Sequence, residues 1–105
     1  MGTKIKQYDI YWVKLDPVEG SEMAKTRPCV VISPDEMNGF LNTVIIAPLT
    51  SNLKSVFWRV QISTGMVALD HVRSIAKSRL VNHIGRLQIS EIHEIKSVLK
   101  EIFVD

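Results

Sequence analysis

Apolar positions along the chain fall into short runs with strand character, followed by one stripe with helical spacing. Tyr8 to Leu15 (YDIYWVKL) is rich in β-branched and aromatic residues. It ends at Asp16-Pro17, where proline and the following Glu19-Gly20-Ser21 stop a strand and open a loop. Arg27 to Pro34 (RPCVVISP) is a second run, bracketed by prolines that suit the edges of a strand better than its middle. Asn42 to Leu49 (NTVIIAPL) is continuously apolar, the pattern of a strand buried on both faces. Val56 to Ile62 and Met66 to Ile75 form a fourth and a fifth run, joined by Ser63-Thr64-Gly65, which reads as a tight hairpin turn. Beyond Ile75, Ala76 to Leu80 reads as a short helical turn and His83 to Leu87 as one more short strand. Ile92, Ile95, Val98, Leu99, Ile102 and Phe103 then recur at spacings of three and four, behind Ser90 as N-cap and Glu91 in the first turn. The pattern predicts a mainly β fold: a five-stranded, largely antiparallel sheet curled into a small barrel whose closure removes exposed edges, with an amphipathic C-terminal helix laid against it.

A chain of 105 residues supports one hydrophobic core, so residues 1–105 are expected to form a single domain. Apolar residues make up 46% of it and charged residues 23%, which excludes a disordered or low-complexity chain. The single cysteine, Cys29, has no intrachain partner for a disulfide and lies within an apolar run, as a buried thiol in a reducing compartment would. The N-terminal stretch lacks the apolar core of a signal peptide, and no segment is long enough to span a bilayer as a helix, so a soluble cytoplasmic protein without membrane contact is expected.

Charge alters this picture locally. The formal net charge is only +2, but from Lys54 to Arg86 six basic side chains face a single acid, Asp70, a local balance of +5. A basic middle third suits a polyanionic partner and equally describes an ordinary solvated surface. Several chemistries drop out. His71, His83 and His93 with one cysteine give no zinc-binding spacing, so neither a metal nor another cofactor is expected. No glycine-rich phosphate loop, nucleophile elbow or dinucleotide fingerprint is present.

What remains are polar residues at strand ends. Gly20 to Pro28 (GSEMAKTRP) is a polar loop between two apolar strands, and loops held by a rigid scaffold are where function concentrates. Arg27 stands where this loop becomes strand, before a proline that fixes the next stretch of backbone. An arginine aimed in this way can grip a phosphate through two hydrogen bonds, or can pair with Glu22 or Glu19. Thr50, followed by Ser51-Asn52, can hold a phosphate oxygen or cap the turn. In a continuous strand, Asp70, Val72 and Ser74 would share one face and His71 and Arg73 the other. His71 is able to move protons near neutral pH or to serve structurally.

These residues also carry a resemblance. GSEMAKTRPCVVISPDEMN, with Gly-Ser-Glu, then Arg-Pro, then an apolar strand ending Ser-Pro, resembles the signature loop and strand of the MazF/PemK toxins. Three further pieces agree in order and spacing: Asp9-Ile10 with Trp12-Val13 and Asp16-Pro17, Ala47-Pro48-Leu49-Thr50-Ser51, and Leu69 to Ile75 with Lys77-Ser78-Arg79-Leu80. The resemblance implies an SH3-like barrel with a C-terminal helix, shared with the CcdB group, and a homodimer. It implies metal-independent cleavage of single-stranded mRNA at short motifs through attack by the ribose 2′-hydroxyl, and neutralisation by a cognate antitoxin. Arg27 and Thr50 align with the family's catalytic arginine and threonine. Glu22, with Ser21, Lys25 and Thr26, falls in the loop that covers substrate, and Ser51, Asp70 and Arg73 are the further substrate-side positions. No residue stands out as general base, Glu22 being one candidate. The chain departs from the family at the short Ser63-Thr64-Gly65 connection, at His71, where glutamine is commoner, and at Ala68, where a subset that uses the aspartate has a companion arginine. Two other functions fit such a barrel. One is a CcdB-like gyrase poison, whose tryptophan-glycine-isoleucine ending this chain lacks. The other is a non-catalytic barrel that binds nucleic acid or protein.

Overall fold

The computed structural model describes residues 4–15 and 26–104. In order, the elements are β1 (Asp9–Lys14), β2 (Thr26–Val31), α1 (Asp35–Phe40), β3 (Thr43–Thr50), β4 (Arg59–Ile62), β5 (Gly65–Ala68), β6 (Arg73–Ala76), β7 (Leu80–Arg86) and α2 (Ile89–Phe103). Short 3-10 turns at Leu69–His71 and Lys77–Arg79 precede β6 and β7. Among the described residues every strand pairing is antiparallel, and the sheet runs β4-β5-β3-β2-β1-β7, with β6 paired to β3 beside β5. Among the described residues β4 and β7 do not pair, so the sheet is curled and open rather than a closed barrel.

Among the described residues there are seven strands, where the sequence pattern predicts five and one further short strand; β7 is that further strand, starting earlier than expected, and the added one arises where the chain turns a corner between β5 and β6. Met66 to Ile75 is not continuous. Leu49 pairs with Val67 and Ile46 with Arg73, so six residues on one side span three on the other, and the surplus is taken up by the 3-10 turn at Leu69–His71. The alternation of faces expected for Asp70 to Ser74 therefore does not hold. The fourth strand begins at Arg59 because Val56 to Trp58 form a turn closed by the Arg59 amide donating to the Val56 carbonyl at 3.2 Å. The hairpin at Ser63-Thr64 is present, with Ile62 opposite Gly65. Gly65 has φ +151, a backbone state that side-chain-bearing residues rarely adopt, and a Cβ there would sit 3.3 Å from the Thr50 carbonyl.

Both faces of the central strands are covered. Ile10, Val30, Ala47, Leu49, Val60, Val67 and Leu69 form one core with Ile95 and Val98 of α2, while Tyr11, Val13, Cys29, Val31, Val44, Ile46 and Ile75 form a second. Ile92, Leu99 and Ile102 pack against the first, whereas Phe103 is exposed. The C-terminal helix is thus the expected amphipathic one, except that it is capped by Gln88 and not Ser90. Gln88 and Glu91 form a reciprocal capping box, the Gln88 amide donating to Glu91 Oε1 at 2.8 Å. Helix α1 was not foreseen. It is short and is held by a buried polar pair: the Ser33 hydroxyl donates to Asn38 Oδ1, Asn38 Nδ2 donates to the Ser33 carbonyl at 2.9 Å, and the Ile45 amide donates to Ser33 Oγ at 3.0 Å. No described helix is long and apolar enough to cross a membrane.

Candidate functional site

The ladder between β2 and β3 stops early, and the site lies where it stops. Cys29 to Val31 pair with Pro48 to Ile46. The next positions outward in that register, Pro28 against Leu49 and Arg27 against Thr50, are not paired. Proline has no N–H, so Pro28 and Pro48 cannot donate to such a ladder, and the two strands part. The gap is a cavity of about 330 Å³ lined by Arg27, Pro48, Leu49, Thr50, Asn52, Arg59, Ala68, His71 and Arg73, with Leu15 at one side. Arg27 and Thr50, distant in sequence, would be opposite neighbours if the sheet continued and instead face the same space.

Behind Arg27 the strand is fully packed. Cys29, fully buried directly beyond Arg27, donates weakly from Sγ to the Arg27 carbonyl at 3.7 Å. Burial pushes its thiol up to about 12, against the opposing pull of the Arg27 and Arg73 guanidinium groups. This cysteine is an apolar packing group and not a nucleophile. Thr50 Oγ1 accepts the Asn52 amide at 3.0 Å, which fixes the hydroxyl at the strand end and leaves its proton available to an acceptor in the cavity.

The far wall is built by the β4–β5 hairpin and the 3-10 turn. The two-residue turn sets Arg59 opposite Ala68. From there Arg59 donates to Asp70 through Nε (2.7 Å to Oδ1) and NH2 (3.0 Å to Oδ2), a bidentate pair. These hydrogen bonds hold the Asp70 carboxyl below its ordinary range, outweighing the desolvation that acts the other way. His71 Nε2 lies 3.4 Å from Asp70 Oδ2. Asp70 thus stands behind the cavity wall, joined to two residues that line it. With Arg27 and Arg73 also present, the cavity carries more positive than negative charge. Among the described residues no three His, Cys, Asp or Glu side chains gather as a metal site would require.

Of the residues singled out in the sequence, the structure brings Arg27, Thr50 and Arg73 together on the cavity wall and puts Asp70 one hydrogen bond behind it. Thr26 and Ser51 are exposed and do not line it. Ser21, Glu22 and Lys25 lie outside the described residues. Arg59 and Asn52 were missed, and His71, which the sequence allows either a proton-transfer or a structural role, also lines the cavity. Arg59 was within reach of sequence reasoning. A two-residue turn at Ser63-Thr64 fixes the pairing of Arg59 with Ala68, and the alternation Arg59-Val60-Gln61-Ile62 turns Arg59 away from the core.

A profile of the PemK-like, MazF-like toxins of type II toxin–antitoxin systems matches residues 6–103. The chain belongs to that family. It is 32% identical to the endoribonuclease MazF9 of Mycobacterium tuberculosis over 110 residues, covering 91% of this chain and 93% of that protein. It is 30% identical to the endoribonuclease MazF of Staphylococcus epidermidis, covering 90% and 88%. Among solved structures, the MazF fold of a MazE–MazF crystal structure from Deinococcus radiodurans superposes with a TM-score of 0.85 at 24% identity, covering 96% of each chain. A mycobacterial endoribonuclease determined in complex with its cognate antitoxin gives 0.78 at 20% identity, covering 92% of each chain. The mainly antiparallel sheet with a C-terminal helix is therefore the MazF fold.

Proposed function

We propose that this chain is a single-domain, cytoplasmic endoribonuclease toxin that cleaves single-stranded mRNA in the Arg27–Thr50 cavity, without a metal ion, and is neutralised by a cognate antitoxin. The observation that carries this reading is the convergence of Arg27, from β2, and Thr50, from β3, on one basic cavity. An RNA phosphate seated between them meets a bidentate guanidinium and a hydroxyl donor. The neighbouring ribose 2′-hydroxyl attacks phosphorus in line with the departing 5′ oxygen. Arg27 stabilises the negative charge that builds on the non-bridging oxygens, and Thr50 holds one of them so that attack is aligned. The products are a 2′,3′-cyclic phosphate and a 5′-hydroxyl. Arg73 lends charge that draws the backbone into the cavity, Arg59 and Asp70 stiffen its far wall, and the segment containing Ser21, Glu22, Lys25 and Thr26 contributes further substrate contacts, with Ser51 at the rim.

The protein acts as a homodimer, and its antitoxin inhibits by laying an acidic segment over the same basic cavity, since RNA and such a segment seek the same charge. Relatives named as endoribonucleases and a neighbour solved with its antitoxin support this reading. Its test is the dependence on the 2′-hydroxyl. Cut sites are mapped in a long RNA with EDTA present, and an oligonucleotide spanning one site is compared with the same oligonucleotide carrying a single 2′-deoxy residue there. Loss of cleavage at that position, with cyclic phosphate ends on the RNA, is expected. Equal cutting of both, or 5′-phosphate ends, contradicts the mechanism.

A further inference from the structure

We propose that His71 is the general base of the cleavage step, oriented by the Asp70–Arg59 pair; this rests on the ribonuclease reading above. Three observations converge on it. His71 lines the same cavity as Arg27 and Thr50. It reaches that position because the 3-10 turn at Leu69–His71 replaces the expected strand. Its Nε2 lies 3.4 Å from Asp70 Oδ2, and Asp70 is itself fixed by two hydrogen bonds from Arg59. A carboxylate facing one ring nitrogen keeps the proton on that nitrogen and leaves the other, Nδ1, as the basic atom. No other described imidazole or carboxylate lines the cavity, whose remaining charged groups are the guanidiniums of Arg27, Arg59 and Arg73.

The step balances as follows. The 2′-hydroxyl proton passes to His71 Nδ1 as the bond from the 2′ oxygen to phosphorus forms. The bond from phosphorus to the 5′ oxygen breaks, the departing oxygen takes a proton from water, and the imidazolium returns its proton to solvent. Asp70 and Arg59 are positioning residues in this scheme, because neither touches the reacting atoms.

The test compares wild type, His71→Gln, His71→Ala and Arg27→Ala in single-turnover cleavage of an RNA oligonucleotide that the wild type cuts. Affinity is measured in parallel on the same oligonucleotide with a 2′-O-methyl group at the cut site. Glutamine keeps a polar N–H group beside Asp70 but cannot carry a proton, and the exposed position of His71 lets both variants fold. Both His71 variants are expected to lose about 100-fold or more in rate while binding the blocked RNA like the wild type. Added imidazole is expected to restore part of the activity of His71→Ala and none of that of Arg27→Ala. A His71→Gln enzyme as fast as the wild type overturns the assignment while leaving the ribonuclease reading intact, and so does a rate loss matched by an equal loss of affinity without imidazole rescue. A wild type that cuts no RNA overturns the ribonuclease reading and this assignment with it.

Discussion

Cys29 and Asp70 each contact a residue that lines the cavity, and their surroundings push them toward opposite behaviour. Cys29 is fully buried beneath Arg27, and burial raises its thiol to about 12, so thiolate is scarce at neutral pH. The native protein should resist alkylation by iodoacetamide at pH 8 and react at an ordinary rate once unfolded in urea. Rapid native labelling contradicts the packing described for β2. Asp70 is displaced the other way, chiefly by its hydrogen bonds from Arg59. A carboxyl depressed in the folded state contributes stability above the ordinary carboxylate range, and that contribution fades as the pH falls through the folded-state value. With a third of the Asp70 side chain exposed, solvent screening limits the pair to about 1 kcal/mol or less. Asp70→Asn should therefore be slightly less stable than the wild type in urea at pH 7, and the gap should close below the ordinary aspartate range. A gap that persists unchanged in acid contradicts the pairing.

At the scale of elements, the β4–β5 hairpin supplies Arg59 and Ala68 to the cavity and abuts the end of β3 at Thr50. Gly65 follows the turn at φ +151 with the Thr50 carbonyl 3.3 Å from where a Cβ would stand. Gly65→Ala should cost about 1–3 kcal/mol in urea unfolding and should also slow RNA cleavage, because relief of the clash moves the end of β3 that carries Thr50. Unchanged stability and activity contradict the turn geometry. This hairpin also shows what a sequence can and cannot disclose. Its tight turn, read as Ser63-Thr64-Gly65 although Gly65 already belongs to β5, the continuous apolar β3 and the helical stripe of α2 were legible because each rests on local periodicity or turn chemistry. The division of Met66 to Ile75 was not, because the break at Leu69–His71 is imposed by β3, whose edge is shared between β5 and β6. Helix α1 escaped notice for a similar reason: its six residues carry no apolar repeat, and it is fastened by the Ser33–Asn38 pair, a tertiary contact. The cap of α2 fell two residues early because Gln88 and Glu91 together satisfy the amides that Ser90 alone was expected to cover.

For the whole molecule, the site arises from a failure of pairing inside a well-packed sheet. Two cores hold β2 and β3 together through Cys29–Val31 and Ile46–Pro48, and beyond those residues the prolines leave the strands without a ladder. The packed core brings Arg27 and Thr50 to one cavity, where we place the RNA phosphate. The resemblance in sequence pointed to both residues and the hairpin register could have added Arg59, whereas the place of His71 in the wall follows from the 3-10 turn at Leu69–His71, which the sequence pattern does not disclose. The measurement that bears most directly on this account is single-turnover cleavage of RNA by wild type and Arg27→Ala, with EDTA present and the fold of both verified by circular dichroism and urea unfolding. The account predicts that Arg27→Ala folds normally and loses about 100- to 1000-fold in rate. Cleavage by Arg27→Ala at the wild-type rate and the same sites would contradict it.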